Sequence, residues 1–338
     1  MLLDRRGRAL GTLRLSVTDR CNLRCTYCMP EAHYTWLEKP HLLSFEELTR
    51  VVRLLRAQGL EKVRITGGEP LLRQELPKLV GMLQQAGMEQ LALTSNGVLL
   101  EKQAAALQAA GLERLTVSLD SIRPEVFTRL AQRAELQTVL SGLRSVSQMG
   151  FQELKLDTVV VRGVNDADLV ELTRFAGSIG AEIRFIEYMD VGGATRWQPD
   201  LVVSQEEILA QLRTGFGSAE PLAGRGSAPA QRFRLGNGQV VGVVASVTHP
   251  FCGDCDRLRL TADGQLLLCL YAKTGLDLRG LLRGGADDRQ VSDRLVEFWS
   301  QRQDQGAVDR TRVGQRSGYV SLEELRANPR LEMHTRGG

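Results

Sequence analysis

No cysteine of this chain stands outside two tight groups, Cys21/Cys25/Cys28 and Cys252/Cys255/Cys269. That clustering excludes a dispersed disulfide framework and suits two metal sites in a reducing cytoplasm. No apolar run approaches the roughly 20 residues needed to span a bilayer, so no membrane partner is expected. The opening stretch, Met1-Leu-Leu-Asp-Arg-Arg6, lacks the apolar h-region of a secretory signal, and the expected location is cytoplasmic. An excess of one charge is also missing: 43 Lys and Arg against 40 Asp and Glu leave +3. That gives no basis for nucleic-acid binding, while an anionic small substrate stays compatible. Neither a Ser-His-Asp constellation nor a paired-carboxylate device is evident, and nothing repeats beyond a strand–helix alternation. What is present is ordinary for a globular protein, with 43% hydrophobic and 25% charged residues. At 338 residues the chain has room for one large α/β domain and an appended one.

The first cysteine group, Cys21-Asn-Leu-Arg-Cys25-Thr-Tyr-Cys28, follows a strand-like run, Leu13 to Val17. Three thiolates so close cannot all pair as disulfides, and a metal or cluster is the natural occupant. Zinc usually takes four protein ligands, and no fourth follows at finger-like spacing. A [4Fe–4S] cluster held by three thiolates leaves one iron open to an outside molecule. Tyr27 adds an aromatic ring beside it. The pattern C-x3-C-x-aromatic-C resembles that of the radical S-adenosylmethionine (SAM) enzymes.

From Leu13 to Met189, short β-branched runs alternate with amphipathic stretches. The expected strands are Leu13–Val17, Lys62–Thr66, Gln90–Thr94, Arg114–Leu119, Glu153–Val161 and Glu182–Met189. Ser44 and Glu47 form a capping-box pair, Gly59 fits the end of that helix, and Gly87, Gly111, Gly150 and Gly180 should end four more. Six βα repeats imply parallel strands, and because eight would close a barrel, six predict an open one with its chemistry at the C-terminal strand ends. Composition changes beyond Val191. Gly215 to Ala230 reads as a loop or linker. Arg232–Val247 reads as a hairpin turning at Asn237-Gly238, and Arg257–Leu260 with Gln265–Leu270 as another turning at Asp263-Gly264.

Thr66-Gly-Gly68-Glu-Pro70 follows the second strand, where glycines allow close backbone approach to a ligand. Ser118 and Asp120 end the fourth strand and Met189 the sixth; Met189 also reads simply as core. The second cysteine set has the spacing C-x2-C-x13-C, with His249 three residues before it, so a Cys3His zinc site competes with a cluster. If the chain is extended from Cys255, then Cys255, Arg257 and Arg259 share one face, with Leu258 and Leu260 on the other. Two guanidiniums there suit phosphate oxygens. Lys155 and Asp157 share a face of the fifth strand and Arg64 shares one with Thr66, while Arg14 lies on the first. Charges on strands otherwise buried against helices need a partner, and a polyanionic substrate would be one.

Taken together, the N-terminal C-x3-C-x2-C, the Gly-Gly-Glu-Pro turn, the C-terminal C-x2-C-x13-C and the final Gly-Gly resemble the GTP 3′,8-cyclase family of molybdenum cofactor (molybdopterin) biosynthesis. The resemblance covers essentially the whole chain. It implies a partial (β/α)6 TIM-type barrel over 1–190, holding SAM and a [4Fe–4S] cluster on Cys21, Cys25 and Cys28. It implies a C-terminal domain over 191–338 with a second [4Fe–4S] cluster, on Cys252, Cys255 and Cys269, whose open iron meets GTP. By position, Tyr27, Gly68, Ser118 and Met189 are expected to contact SAM. Arg14, Arg64, Thr94, Lys155, Arg257, Leu258 and Arg259 are expected to contact GTP, and Gly337 and Gly338 to reach the reacting centre. The implied reaction splits SAM to a 5′-deoxyadenosyl radical, takes the 3′ hydrogen of GTP and closes C3′ onto guanine C8. Expected partners are GTP, an external electron donor and, by product hand-off, cyclic pyranopterin monophosphate synthase, with a homodimer allowed. Asp157, Asp256 and Arg336 depart from the family pattern, and a carboxylate near a triphosphate is unfavourable unless Lys155 or Arg257 pairs with it. Two other readings are a radical SAM maturase acting on a peptide or protein and a non-catalytic two-zinc binding protein.

Overall fold

Period-2 alternation over short β-branched runs, broken by stretches of helical period, builds a twisted parallel sheet covered on one face by helices. The structure is a computed structural model that describes residues 2–31, 33–194, 196–314 and 316–337, with the backbone alone for Pro329. Six strands pair in chain order: β1 (Thr12–Ser16), β2 (Lys62–Thr66), β3 (Gln90–Ser95), β4 (Arg114–Ser118), β5 (Glu153–Val160) and β6 (Glu182–Glu187). The helices between them are α1 (Phe45–Ala57), α2 (Leu76–Gln85), α3 (Leu100–Ala109), α4 (Pro124–Ala131), α5 (Leu136–Ser147) and α6 (Leu169–Ser178). The capping box at α1 forms as expected: Glu47 N donates to Ser44 Oγ at 3.1 Å and Ser44 N to Glu47 Oε2 at 2.7 Å. Gly59, Gly87, Gly111, Gly150 and Gly180 all take the left-handed conformation beyond their helices.

The strand ends shift by a residue or two from the sequence expectation. β6 stops at Glu187, so Met189 lies beyond the strand instead of ending it. The reason is local: the buried Glu187 carboxylate accepts from Gln205 N, Val247 N and Thr248 N at 2.9, 2.8 and 2.8 Å, tying the chain to other segments. The short helix α4 was not foreseen.

Beyond β6 the chain adds α7 (Gln205–Phe216), β7 (Ala219–Pro221), β8 (Gln231–Leu235), β9 (Val240–Val244), β10 (Arg257–Leu260), β11 (Gln265–Leu267) and β12 (Leu276–Asp277). Four further helices follow, α8 (Leu278–Arg283), α9 (Asp288–Ser300), α10 (Gly306–Thr311) and α11 (Leu322–Ala327). Both expected hairpins exist, β8–β9 and β10–β11. Cys269, however, falls two residues beyond β11 and not on it. Neither hairpin forms a separate sheet. β9 joins β6 in parallel and β10 joins β1 in parallel, giving the order β12-β11-β10-β1-β2-β3-β4-β5-β6-β9-β8-β7. Eight strands thus run parallel in a row. The sheet stays open because the outer edges of β9 and β10 are taken by β8 and β11, so among the described residues those two strands do not meet.

Helix-facing strand residues such as Leu13, Val63, Ile65, Leu91 and Leu93 are fully buried. Their alternates, including Arg14 and Arg64, point to the opposite, concave face. Leu13 sits between β2 and β10, level with Val63 and Leu258. Leu13→Ala is expected to cost about 2–5 kcal/mol from lost burial and the cavity left behind, read as a lower urea midpoint of the reduced apoprotein; an unchanged midpoint refutes this account of the core.

Candidate active site

The β1–β10 register decides where the two cysteine sets lie. Thr12 pairs with Arg257 and Leu15 with Leu260. Cys21 follows the C-terminal end of β1, whereas Cys255 precedes the N-terminal end of β10. Antiparallel pairing of Arg259 with Leu267 returns Cys269 to that same end. The two sets therefore face each other along the strand axis, separated by about five residues of strand, roughly 15 Å. All six thiols, none in a disulfide, line one cavity of about 760 Å³, a volume typical of small-molecule sites. The expectation that the chemistry gathers at the C-terminal strand ends covers the first set alone.

The cavity floor is cationic. Arg64, Arg14 and Arg259 are direct neighbours across three adjacent strands. At an effective dielectric near 20, charges about 5 Å apart repel by roughly 3 kcal/mol before side chains splay. Burial, then the neighbouring arginines, lower the Arg14 pKa well below its ordinary value. Burial, then Arg184, lowers Arg64 to about 10, and burial, then Arg257, lowers Arg259 to about 10. Arg64 Nη1 donates to Thr94 Oγ1 at 3.1 Å and Thr116 Oγ1 at 3.0 Å. Arg257 lies over the Phe251 ring at 4.9 Å. Leu258 is buried in the core, so its side chain does not join its neighbours in the cavity.

The carboxylates nearby find partners, but not the expected ones. Asp157 pairs with Arg184 at 2.7 Å, while Lys155 pairs with Glu153 at 2.6 Å. Asp256 accepts from Thr12 Oγ1 at 2.9 Å and Ser227 Oγ at 3.1 Å. Arg184 and Lys62 also line the cavity and were missed from sequence, as was Arg225 on the segment read as a linker. Lys62 was findable, since it is two residues from Arg64 and so shares its face.

At the other end, Tyr27, Gly68, Ser118 and Met189 line the cavity near the first cysteine set. Tyr27 Oη donates to Asp120 Oδ2 at 2.7 Å, and burial pushes the Asp120 carboxyl up to about 6. Burial likewise pushes Glu69 up to about 7, although Asn96 N, Leu71 N and Ser95 Oγ all donate to it. The glycine requirement at Gly68 comes from the chain itself: an added Cβ would stand 2.4 Å from Arg20 O. Burial, then Glu69, pushes Cys21 up to about 11, and burial raises Cys25 and Cys28 as well. Burial also opposes ionisation of Cys255, yet Arg257 and Arg302 outweigh it and hold that thiol at about 7.

The C-terminal residues enter between the two ends. Arg14 Nε donates to Gly337 O, and Arg259 Nη1 donates to Gly337 O at 2.9 Å and Arg336 O at 3.0 Å. A Cβ on Gly337 would stand 2.4 Å from Thr66 Oγ1. Gly338 lies outside the described residues. Arg336, just before the glycines, is buried and donates to Leu270 O at 2.7 Å, next to Cys269. Asp190, beside Met189, is fully buried and accepts from Tyr271 Oη, Arg310 Nε and Arg316 Nε at 2.7, 2.7 and 2.9 Å.

The donor sets fit clusters better than single ions. Among the described residues no three His, Cys, Asp or Glu close around one ion position. His249 is exposed, its Nδ1 3.1 Å from Thr248 Oγ1, and does not line the cavity. Three convergent thiols with no fourth side-chain ligand match a cluster that keeps an open iron.

A parallel β/α partial barrel with three thiols on the loop after its first strand is the architecture of radical SAM enzymes. Residues 15–176 match the model of the Radical SAM superfamily, and residues 181–308 match that of Molybdenum Cofactor Synthesis C. The fold is similar to that of Streptococcus suis SuiB, with a TM-score of 0.59 and 14% identity, covering 90% of this chain and 68% of that one. With GTP 3′,8-cyclase 1 of Mycobacterium tuberculosis the chain is 47% identical, over 99% of its own length and 95% of the relative's. With GTP 3′,8-cyclase of Streptomyces coelicolor it is 45% identical, over 93% of each. The chain belongs to the GTP 3′,8-cyclase family.

Gly193 packs against the first cysteine loop so tightly that an added Cβ would stand 2.0 Å from Cys28 O. Since Cys28 O is a backbone atom and the added Cβ is fixed to the backbone of residue 193, the loop must move. Gly193→Ala is expected to lose the iron held at the first set while keeping that of the second, measured as iron and sulfide per chain. Full iron at both sets overturns this.

Proposed function

We propose that this chain cyclises GTP to (8S)-3′,8-cyclo-7,8-dihydroguanosine 5′-triphosphate, an early step of molybdenum cofactor biosynthesis. The observation that carries the reading is one cavity with a thiol triplet at each end and a row of arginines between, in a chain 47% identical to a GTP 3′,8-cyclase. On this proposal Cys21, Cys25 and Cys28 hold one [4Fe–4S] cluster and Cys252, Cys255 and Cys269 a second. Tyr27, Gly68, Ser118 and Met189 contact SAM. When bound, SAM and the first cluster supply a carbon radical able to take hydrogen from the ribose C3′.

The protein's own groups supply binding and orientation. Arg14, Arg64, Arg257 and Arg259, with Lys155 and Thr94, hold the triphosphate, and their mutual repulsion is relieved when it arrives. Leu258 takes part through its main chain alone. Asp157 stays tied to Arg184, which keeps its charge from opposing the substrate. The chain around Gly337 fills the space beside the arginines and limits water around the reacting ribose. In the same proposal, residues 1–190 carry the SAM half and 191–338 the GTP half. An external one-electron donor, a cytoplasmic location, a homodimer and hand-off to cyclic pyranopterin monophosphate synthase complete it; no helix among the described residues is long and apolar enough to cross a membrane.

Anaerobic incubation with GTP, SAM and a reductant, followed by mass analysis, tests the reading. Cyclised nucleotide and one 5′-deoxyadenosine per turnover are expected, and Cys25→Ala is expected to make neither. Deoxyadenosine without nucleotide product sinks the cyclase assignment.

Removing Gly337 and Gly338 tests the tail separately. Because the tail acts on positioning, its loss is expected to stop cyclisation while leaving iron content and melting temperature intact. Cyclisation at the full-length rate would falsify a role for it.

A further inference from the structure

Two arginines outside the cavity hold the second cysteine set from behind. Arg302, directly after the α9 C-cap, is 2% exposed and lies 4.6 Å over the Trp299 ring. Its Nη1 donates to Cys255 O at 2.7 Å and its Nη2 to Cys255 Sγ at 3.1 Å. Arg8 Nη1 donates to Cys252 O at 2.8 Å and Asp304 O at 2.7 Å. The buried Asp4 carboxylate is shared, 2.6 Å from Arg8 Nε and 3.8 Å from Arg302 Nη1. None of the three lines the cavity, so none is placed to touch a substrate.

Charge makes the arrangement unusual. One carboxylate serves two guanidiniums, leaving a net positive charge in a desolvated place. Arg302 Nε and Arg8 Nη2 also find no acceptor. Burying a cation without a full partner is expensive. Negative charge on the sulfurs of a thiolate-bound cluster supplies the missing partner. At the other end Arg24 Nη1 also donates to a cysteine carbonyl, Cys21 O at 2.9 Å, but Cys21 Sγ receives the neutral amide of Asn96, from Nδ2 at 3.8 Å.

We propose that Arg302 is a positioning residue for the second cluster, fixing Cys255 by its carbonyl and raising the cluster's reduction potential through a charged N–H···S hydrogen bond. This rests on the two-cluster reading above. A donor to a cluster thiolate withdraws electron density and favours the more negative, reduced state. The two clusters then differ in potential, the second being the easier to reduce. Trp299 and Asp4 hold the guanidinium plane against the sulfur.

The test is a potentiometric EPR titration of the reconstituted holoenzyme with Arg302→Met and Arg302→Lys. The first cluster is recognised by its response to added SAM and serves as internal reference. Arg302→Met is expected to keep iron for both clusters. Its second-cluster reduction equilibrium falls about tenfold, a midpoint about 59 mV more negative, with the first cluster unmoved. Arg302→Lys keeps the charge but has one donor to divide between Cys255 O and Sγ, and falls less. An unmoved second midpoint in both variants overturns the proposal, as does an equal shift of both clusters. Loss of the second cluster from both variants also overturns it, leaving a structural clamp only. Wild-type protein with iron for a single cluster refutes the two-cluster reading instead.

Discussion

Parallel pairing of β10 with β1 is the constraint on which the site depends. It sets Thr12 against Arg257 and Arg14 against Arg259, and so fixes both the span between the cysteine sets and the arginine row between them. A shift of one residue would turn Arg257 and Arg259 toward the helices and Leu258 and Leu260 into the cavity. The apolar face is what prevents this, since Leu258 and Leu260 are each 1% exposed beside Leu13 and Leu15. Core packing on one side of the sheet thus specifies the charge pattern on the other.

That charge pattern works against the fold. Three arginines side by side on parallel strands repel, and like charges opposite one another destabilise a sheet. The carbonyls at Arg336 and Gly337 offset part of this by accepting from Arg259, and at Gly337 from Arg14 as well. The tail is held in turn by Arg336, whose guanidinium reaches Leu270 O beside Cys269. Arg336 therefore links the tail to the second cysteine loop. The fold keeps a cationic floor at a cost in stability that a bound polyanion would offset.

Much of the barrel was legible because its signals are local. Strand runs, the Ser44–Glu47 box and the left-handed glycines each depend on a few neighbouring residues. The period-2 argument from Cys255 also held as geometry, with Arg257 and Arg259 on the cavity face and Leu258 in the core. Partners between distant segments were not legible. Nothing in Val240–Val244 or Arg257–Leu260 announces that these strands extend the barrel sheet instead of forming their own. Asp157 was expected to need Lys155 or Arg257, but register sets it against Arg184 on β6. Asp190 looked unremarkable in sequence, yet it gathers Tyr271, Arg310 and Arg316 from segments more than 80 residues away.

The two ends of the cavity carry thiols in different electrostatic settings. Around the first cysteine set stand the buried carboxyls of Glu69 and Asp120, which oppose thiolate formation. Beside Cys255 stand Arg257 and Arg302, which promote it, whereas burial, with Asp304, holds Cys269 above its ordinary value. The arginine row thus lies from the middle of β1 to the N-terminal end of β10, and the buried carboxyls of Glu69 and Asp120 lie toward the C-terminal end of β1. A substrate with its negative charge concentrated at one end is favoured with that end toward the arginines. On the proposed function, the triphosphate belongs on the arginine row, and the sulfonium of SAM, a cation, belongs among the carboxyls. The orientation of both reactants then follows from the distribution of charge along one pair of parallel strands.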